Sequence, residues 1–400
     1  MNRLDLALAT LLLAVVAPFV QSMTAQSAPR YALPSAIVES GAIELDDYEP
    51  IIGVDRVEID GHLYSDKAPG QPFLSVPIIA VAEWLGADPA DDFRIDANLG
   101  LWSLTLTFCT VPAAVLIVLM RRHASRATNN RSAAIAALCL SFGTMLLPFA
   151  SSLYAHVFVA TLTFGAYHLL SGPSPTSRHV IVAGSLSALA SASEYPMLYV
   201  AGVLGLYVLI RFGSRRALLF GSPHIVATAL VLAYHRAAYD SFSTGYSAKE
   251  DRWQLSYGLP SPGHVADILV GDKGFIFTPM VLIALGFLVH GMMRRSPGYA
   301  IPAAIVAGFF VLQAGWPNPW GGEGPGPRYL APALPFLVVP TAVAVTRLRT
   351  RWVVLASTVG VVSMGVSCIR GPGCIEGLTG LDTAQTGQKL RTQMTAHATE

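Results

Sequence analysis

Long apolar runs divide the chain into a regular series of segments. One run covers residues 4–20, and ten more lie at 99–120, 133–149, 153–170, 180–193, 197–212, 217–234, 274–293, 299–316, 329–346 and 352–368. Most of them approach the roughly 20 residues that an α-helix needs to cross a bilayer. The pattern predicts an all-α polytopic membrane protein with about eleven transmembrane helices.

A long polar segment, residues 21–98, separates the first apolar run from the others. Within it, residues 34–43 predict a short amphipathic helix, and the alternation over 57–64 is typical of a strand or hairpin. The apolar stretch 72–85 is too short to span with ease, so it predicts an interfacial or re-entrant helix anchored by Trp84.

These features divide the chain into four parts. We predict a first transmembrane helix at 1–20, an extracytoplasmic loop at 21–98 and a helix bundle at 99–368 with long outer loops at 236–273 and 317–328. Residues 369–400 form a tail, which we also expect outside. The A-Q-S-A at Ala25 to Ala28 resembles a cleavage site, so a signal peptide is the alternative to a retained first helix.

Composition and charge agree with a membrane protein and give its orientation. Only 13% of the residues are charged and 53% are hydrophobic, whereas soluble domains carry roughly 25% charged residues. Arginines concentrate in alternate short loops, which places the N-terminus in the cytoplasm. The net charge of +1 gives no field that would recruit nucleic acid. The loops richest in candidate chemistry then lie outside, where nucleotide-dependent chemistry is not expected.

The acidic loop carries the most specific candidate, Y-S-D-K-A-P-G, with Tyr64, Asp66 and Lys67 just before a Pro-Gly turn. Lys67 is the only lysine between residues 21 and 98. Its ammonium is a compact point charge suited to binding phosphate. An ordinary polar loop tip with a local ion pair is the alternative.

Two further stretches are weaker candidates. Asp46 and Asp47 are adjacent carboxylates that can bind a divalent cation or serve as a general base, although a solvated acidic loop explains them as well. The Gly/Pro-rich residues 318–327 lead to Arg328 and Tyr329. Glycines allow close backbone approach to a ligand and arginine can hold phosphate bidentately, while an interfacial anchor is the alternative.

Three other positions are open to two interpretations each. Cys368 and Cys374 flank an I-R-G-P-G turn and can form a disulfide in an oxidising compartment, or remain two thiols. His156, at the outer start of a span, is either an interfacial histidine or a ligand. Glu194, at a membrane boundary, is either a functional acid at membrane depth or an acid in the headgroup region.

Several of these residues together resemble a known family. The chain has R-Y-A at Arg30 to Ala32, D-G-H-L-Y-S-D-K-A-P-G at Asp60 to Gly70 and G-P-R-Y-L at Gly326 to Leu330. It resembles the bacterial GT-C membrane glycosyltransferases, relatives of the lipid A aminoarabinose transferases and protein O-mannosyltransferases. The resemblance implies a retained first helix, a polyprenyl-phosphate sugar donor and transfer to a lipid or cell-wall glycan acceptor at the outer face of the cytoplasmic membrane.

The resemblance also implies roles for residues. The donor phosphate would be held by Lys67, Arg328, Tyr329, Arg30 and Tyr64, and Asp66 would stand where the family has an acid beside the lysine. The family's acid before R-Y-A is absent, because those positions are Gln26, Ser27, Ala28 and Pro29. The catalytic candidates are therefore Asp46, Asp47 and Asp66.

The sequence supports one main hypothesis and two alternatives. The main one is an inverting glycosyltransferase in which an acid deprotonates the acceptor hydroxyl and Lys67, Arg328 and a divalent cation stabilise the leaving phosphate. The first alternative is a non-catalytic polyprenyl-lipid binder or transporter of cell-envelope assembly. The second is a structural partner in an envelope-assembly complex.

Overall fold

The computed structural model describes residues 2–21, 23–86, 99–248, 258–322 and 324–370. Helices dominate these residues. In chain order they are α1 (Arg3–Val16), α2 (Ala28–Ser40), α3 (Glu49–Ile52), α4 (Gly70–Trp84), α5 (Leu99–Thr105), α6 (Val111–Ala124), α7 (Asn130–Phe142), α8 (Leu146–Ala150), α9 (Ala155–Leu170), α10 (Ser177–Ser193), α11 (Met197–Phe212), α12 (Ser214–Tyr239), α13 (Gly245–Ala248), α14 (Pro262–Val270), α15 (Pro279–Met293), α16 (Ala300–Gly315), α17 (Val338–Arg347) and α18 (Thr350–Arg370).

Other local structures connect these helices. A π-helical turn, Leu106–Thr110, joins α5 to α6, so that the three form one continuous helix. Tight 3₁₀ turns lie at Asp46–Tyr48, Phe275–Phe277 and Pro297–Tyr299, and a longer 3₁₀ segment covers Arg328–Leu337. Two strands, β1 (Arg56–Ile59) and β2 (His62–Ser65), complete the described elements.

Several helices have the length and composition of membrane spans. In the described part of the chain, four qualify: Leu99–Ala124, Ser214–Tyr239, Arg328–Arg347 and Thr350–Cys368. Pro262–Phe277 and Pro279–Met293 make a fifth if the pair, bent by 118°, is one broken span. Three shorter apolar helices, α9, α11 and α16, accompany them. The chain is thus a helical multi-pass membrane protein, and the total of about eleven spans stays a prediction.

Two apolar runs differ from the single helices that the sequence predicts. The run at 329–346 begins as the 3₁₀ segment and becomes α-helical only in α17. Pro332 and Pro335 lie inside that segment, and proline cannot donate the backbone hydrogen bond of an α-helix. The run at 133–149 divides into α7 and α8 around Gly143.

Close helix packing holds the bundle together. A Cβ atom built on Gly184 of α10 would lie 2.3 Å from the carbonyl oxygen of Phe220 in α12. Only glycine allows the two backbones to approach so closely, as is common where membrane helices pack. Helix α10 also packs along α9, so it is a central element of the bundle.

An acid in the first helix ties α1 to α6. Asp5 is buried, and its two carboxylate oxygens lie 2.5 Å from Arg121 Nη2 and 2.9 Å from Arg122 Nη2. Arg122 Nε donates a further hydrogen bond of 3.0 Å to the same carboxylate. These contacts explain how an acid is tolerated in the first apolar run.

The segment 23–86 folds against the bundle. Its core consists of apolar side chains from α2, α3 and the hairpin together with Tyr234, Ala238 and Tyr239 from the end of α12. The strands pair antiparallel, with Arg56 opposite Ser65 and Ile59 opposite His62. Asp60 and Gly61 both have positive φ, of 53° and 83°, as a two-residue hairpin turn requires. The hairpin predicted at 57–64 is confirmed, and so is a helix, α4, over the stretch 72–85.

Candidate functional site

The centre of the candidate site is a buried ion cluster at the end of β2. Lys67 Nζ lies 3.0 Å from Asp66 Oδ1 and 3.0 Å from Asp55 Oδ2. All three side chains are at most 5% exposed. A charge taken out of water is stable only when it is paired, so the cluster holds one ammonium between two carboxylates. Sequence analysis identified Asp66 and Lys67 but not Asp55.

The turn after Lys67 is packed directly on the end of α10. A Cβ atom on Gly70 would lie 2.7 Å from the carbonyl oxygen of Ala192 and 2.8 Å from Ser193 Oγ. The phenol of Tyr239 donates a hydrogen bond of 2.5 Å to the carbonyl of Ser65. The Pro-Gly turn therefore fixes the position of Lys67, because the backbone can neither lift away nor accept a larger residue.

Arg30 connects three segments of the chain at this site. Its guanidinium donates a hydrogen bond of 2.8 Å to Oε2 of Glu194, which follows α10, and one of 2.7 Å to the carbonyl oxygen of Gln26. The Gln26 amide in turn donates to the carboxylate of Asp55. Glu194 therefore lies beside the ion cluster.

Arg328 brings a further positive charge from the far end of the chain. It is 5% exposed and begins the 3₁₀ segment. Its Cζ lies 5.3 Å from the centroid of the Tyr329 ring, a cation–π distance. The backbone N–H of Tyr329 donates a hydrogen bond of 2.9 Å to Gln313 Oε1. This bond anchors the 3₁₀ segment on α16.

The glycines before Arg328 pack against their own loop. Gly321 and Gly322 have φ values of 74° and 105°. A Cβ atom on Gly321 would lie 2.8 Å from the Tyr329 ring, and one on Gly322 would lie 3.4 Å from Arg328 Nη2. These two glycines allow the loop to cover Arg328 and Tyr329, and the close approach of this backbone to a ligand stays a prediction.

His156 lies at the first turn of α9 and is buried in an aromatic pocket. Its ring centroid is 4.8 Å from that of Phe149, 5.6 Å from that of Tyr154 and 6.3 Å from that of Tyr329. The charges of Arg328, Arg30 and Lys67 all act on the ring. Within the described residues, neither ring nitrogen has a hydrogen-bond partner. His156 is thus part of the candidate site.

Tyrosines line the side of the site where Asp66 lies. The Tyr246 ring centroid is 5.8 Å from Lys67 Nζ. Burial and then the negative charge of Asp66 raise the pKa of the Tyr246 phenol well above its ordinary value. Burial, with a smaller contribution from Asp66, also raises the pKa of Tyr195. Both phenols stay neutral, so the surroundings of Asp66 include aromatic side chains with an apolar body and a polar end.

Asp46 and Asp47 lie elsewhere on the loop, and both are exposed. Asp46 Oδ2 is 2.7 Å from His62 Nδ1, and its Oδ1 accepts 2.7 Å from the Leu63 amide. Tyr64 donates to Glu44 at 3.4 Å. Within the described residues, no group of three or more His, Cys, Asp or Glu side chains could hold a metal ion. The divalent cation stays a prediction.

The Asp46–His62 pair predicts a pH dependence of the hairpin. The hydrogen bond with His62 lowers the pKa of Asp46, and the same bond with Asp46 raises the pKa of His62. The raised histidine pKa stabilises the folded hairpin below the unfolded value near 6.5 and loses this effect as pH rises through the folded pKa. The lowered carboxyl pKa stabilises it above about 3.9 and loses this effect as pH falls through the folded pKa.

Protection of the hairpin amides, followed by hydrogen exchange, is therefore expected to be greatest between those limits and to weaken on either side. Asp46→Asn is the test variant, since it leaves His62 without a charged partner. Exposed Asp47→Asn is the matched control. An unchanged pH profile in Asp46→Asn contradicts the prediction.

Cys374 lies outside the described residues, so the pairing of Cys368 with Cys374 stays a prediction.

The arrangement of helices is a GT-C-like fold, as two solved structures show. Two solved structures of ArnT from Cupriavidus metallidurans, in the apo state and bound to undecaprenyl phosphate, superpose with TM-scores of 0.58 and 0.59. They are 18% and 17% identical to this chain and cover 92% of it in each case. The chain spans 62% and 63% of their length.

A third structure, the apo oligosaccharyltransferase of Archaeoglobus fulgidus, has a TM-score of 0.48 at 12% identity, over 90% of this chain and 52% of its own. Neither a family model nor a curated protein sequence matches the chain.

Proposed function

We propose that the chain is a membrane glycosyltransferase. It moves a sugar from a polyprenyl-phosphate donor to a lipid or cell-wall glycan acceptor on the extracytoplasmic face of the cytoplasmic (inner) membrane. The observation that carries the proposal is that three buried cations, Arg30, Lys67 and Arg328, all act on the buried ring of His156, and Lys67 also lies 3.0 Å from Asp66. Buried arginine and lysine side chains at a membrane edge suit a lipid phosphate.

The origin of the site residues supports this orientation. Arg30, Lys67, Glu194 and Arg328 come from segments that the arginine pattern places outside. The contacts of Asp5 with Arg121 and Arg122 come from segments that the same pattern places in the cytoplasm or at its edge. The Arg30–Glu194 contact and the contacts of Asp5 each join two members of the same predicted side.

The charges of the site suggest how a phosphate would be received. Arg30, Lys67 and Arg328 are formally balanced by the carboxylates of Asp55, Asp66 and Glu194. A phosphate oxygen entering beside Lys67 competes with Asp66 for the ammonium. Asp66 then becomes a carboxylate without its cation, which is a stronger base.

This exchange gives a reaction in which bonds and charges balance. The acceptor hydroxyl oxygen attacks the anomeric carbon, and its proton passes to Asp66. The bond between the anomeric carbon and the phosphate oxygen breaks, and the electron pair stays on the phosphate. Lys67, Arg328 and Arg30 offset the negative charge that develops there. Polyprenyl phosphate leaves and Asp66 releases its proton to solvent. Tyr329, whose ring lies against Arg328, is proposed to join the phosphate site, whereas Tyr64 donates to Glu44 and has no role in this proposal.

Asp55, the second acid of the ion cluster, bears on a difference between this chain and the family it resembles. The GT-C glycosyltransferases that it resembles have an acid before R-Y-A, whereas this chain has Gln26 there. Asp55, from later in the same loop, bonds to the Gln26 amide and to Lys67. We propose that Asp55 takes over the charge of the missing acid and sets the position of Lys67.

The ArnT structure bound to undecaprenyl phosphate supports the class of donor, because a protein of this fold binds such a lipid. A non-catalytic lipid-carrier protein is the alternative. The presence of Gln26 where the resembling family has an acid favours this alternative, since a chain without that acid can still bind phosphate without catalysing sugar transfer.

The test measures binding and transfer with the purified full-length chain in detergent. Polyprenyl phosphate is expected to bind wild type far more tightly than polyprenol of equal length, and a panel of radiolabelled polyprenyl-phosphate sugars is expected to yield transfer or slow donor hydrolysis. Arg328→Gln is expected to weaken binding of the phosphate form alone. Equal affinity for phosphate and alcohol contradicts the proposal, and tight phosphate binding without turnover on any sugar favours the carrier alternative.

A further inference from the structure

The site contains a buried histidine that the proposed reaction has not used. His156 is 4% exposed, and both its ring nitrogens are fully buried without a hydrogen-bond partner within the described residues. A neutral imidazole carries one N–H donor and one acceptor nitrogen. Burying such a group without partners costs free energy, so its position calls for a ligand at the site.

The surroundings of the ring decide what kind of ligand it meets. Three buried cations, Arg328, Arg30 and Lys67, lie close enough to His156 for their charges to act on its ring. Arg328 and His156 also share one neighbour, since both lie against the ring of Tyr329. The ring is therefore on the side of the site where positive charge converges.

An imidazole in that position suits the leaving group better than the acceptor. A general base must reach the acceptor hydroxyl on the face of the sugar opposite the phosphate, and Asp66 is the acid beside the tyrosine surface. The N–H group of His156 lies among the cations that are proposed to bind phosphate, so a phosphate oxygen is the acceptor that suits it. A hydrogen bond to that charged oxygen is stronger than a neutral one.

We infer that His156 donates a hydrogen bond to the phosphate of the polyprenyl donor and keeps it as the leaving group departs. This inference rests on the proposed function, because it assigns a ligand within the same site. His156 thereby completes a donor set with Arg30, Lys67 and Arg328. It acts by hydrogen bonding and does not take the acceptor proton.

The packing of the ring gives a well-matched set of variants. His156→Phe keeps an aromatic ring against Phe149 and Tyr154 but removes the N–H. His156→Asn and His156→Gln keep an N–H donor near Nδ1 and Nε2, respectively. His290→Phe is the control, because His290 is exposed and lies in the last turn of α15. Thermal unfolding in detergent checks that each variant is folded.

Binding of polyprenyl phosphate and of polyprenol is measured for each variant. His156→Phe is expected to bind polyprenyl phosphate about tenfold or more weakly than wild type, with unchanged binding of polyprenol, and one of the two amide variants is expected to recover part of the loss. Unchanged phosphate binding in His156→Phe overturns the inference, and so does an equal loss for the alcohol. If wild type itself does not prefer the phosphate, the proposed function fails first.

A second measurement uses the wild-type chain, so that it does not depend on folding of the variants. Histidines are labelled with ¹⁵N, and the resonances are followed as polyprenyl phosphate is added. One ring nitrogen of His156, assigned by its absence in His156→Gln or His156→Phe, is expected to shift with the phosphate and not with polyprenol. A wild-type chain that binds the phosphate with no such shift overturns the inference.

Discussion

Lys67→Met is expected to destabilise the folded chain by about 3–5 kcal/mol, the usual cost of removing one partner from a buried ion cluster. The methionine side chain fills similar volume, so lost packing contributes little. The cost arises because Asp55 and Asp66, at 5% and 0% side-chain exposure, lose the ammonium that lies 3.0 Å from each. Unfolding in detergent with increasing dodecyl sulfate measures the effect.

Two comparisons make this prediction specific. Lys273→Met makes the same change at an exposed lysine of the outer loop and is expected to be close to neutral. The triple variant Asp55→Asn, Asp66→Asn and Lys67→Met removes all three charges together and is expected to recover much of the lost stability. A Lys67→Met chain as stable as Lys273→Met contradicts the buried cluster.

Much of the fold follows from local patterns in the sequence. The strand or hairpin over 57–64 is predicted by alternation, and the turn that the structure places at Asp60 and Gly61 also has a local cause. The helices of the bundle follow from apolar runs of the right length. Even the 3₁₀ segment has a local cause, since Pro332 and Pro335 are visible in the sequence. Apolar residues alone predict one regular helix over this run, because a count of apolar residues takes no account of the two prolines.

Less of the candidate site could be predicted, because its residues meet through tertiary packing. Asp66 and Lys67 are adjacent in sequence, and their chemistry is evident from residue type. Asp55, Glu194 and His156 reach them from other segments. Their meeting depends on contacts such as Gly70 against Ala192, and no local pattern reports such a contact.

A pair of adjacent acids does not show in the sequence whether its role is local. Asp46 holds the end of the hairpin through His62 and the Leu63 amide, and a catalytic or metal-binding role of Asp46 and Asp47 stays a prediction. A short-range role of this kind leaves the same sequence pattern as a metal ligand. Burial separates the two cases, since Asp66 is fully buried whereas Asp46 is exposed.

Burial also decides which acid we expect to act as the general base. Asp66→Asn is expected to lower the rate of sugar transfer by about 10²–10⁴, the usual contribution of a general base. The loss falls on kcat with little change in donor binding, because Asp66 gives up Lys67 when the phosphate enters. The measurement is transfer from the active polyprenyl-phosphate sugar at saturating donor, together with the affinity for polyprenyl phosphate.

Asp55→Asn is the matched control for this prediction, since it removes the same charge from the same ammonium. Asp55 bonds to Gln26 and to Lys67, whereas Asp66 is the one of the two acids whose charge acts on both Tyr195 and Tyr246. Asp55→Asn is therefore expected to change donor affinity more than kcat, and Asp66→Asn the reverse. Equal losses of kcat in both variants would assign the effect to the charge on Lys67, and a larger loss in Asp55→Asn would make Asp55 the base.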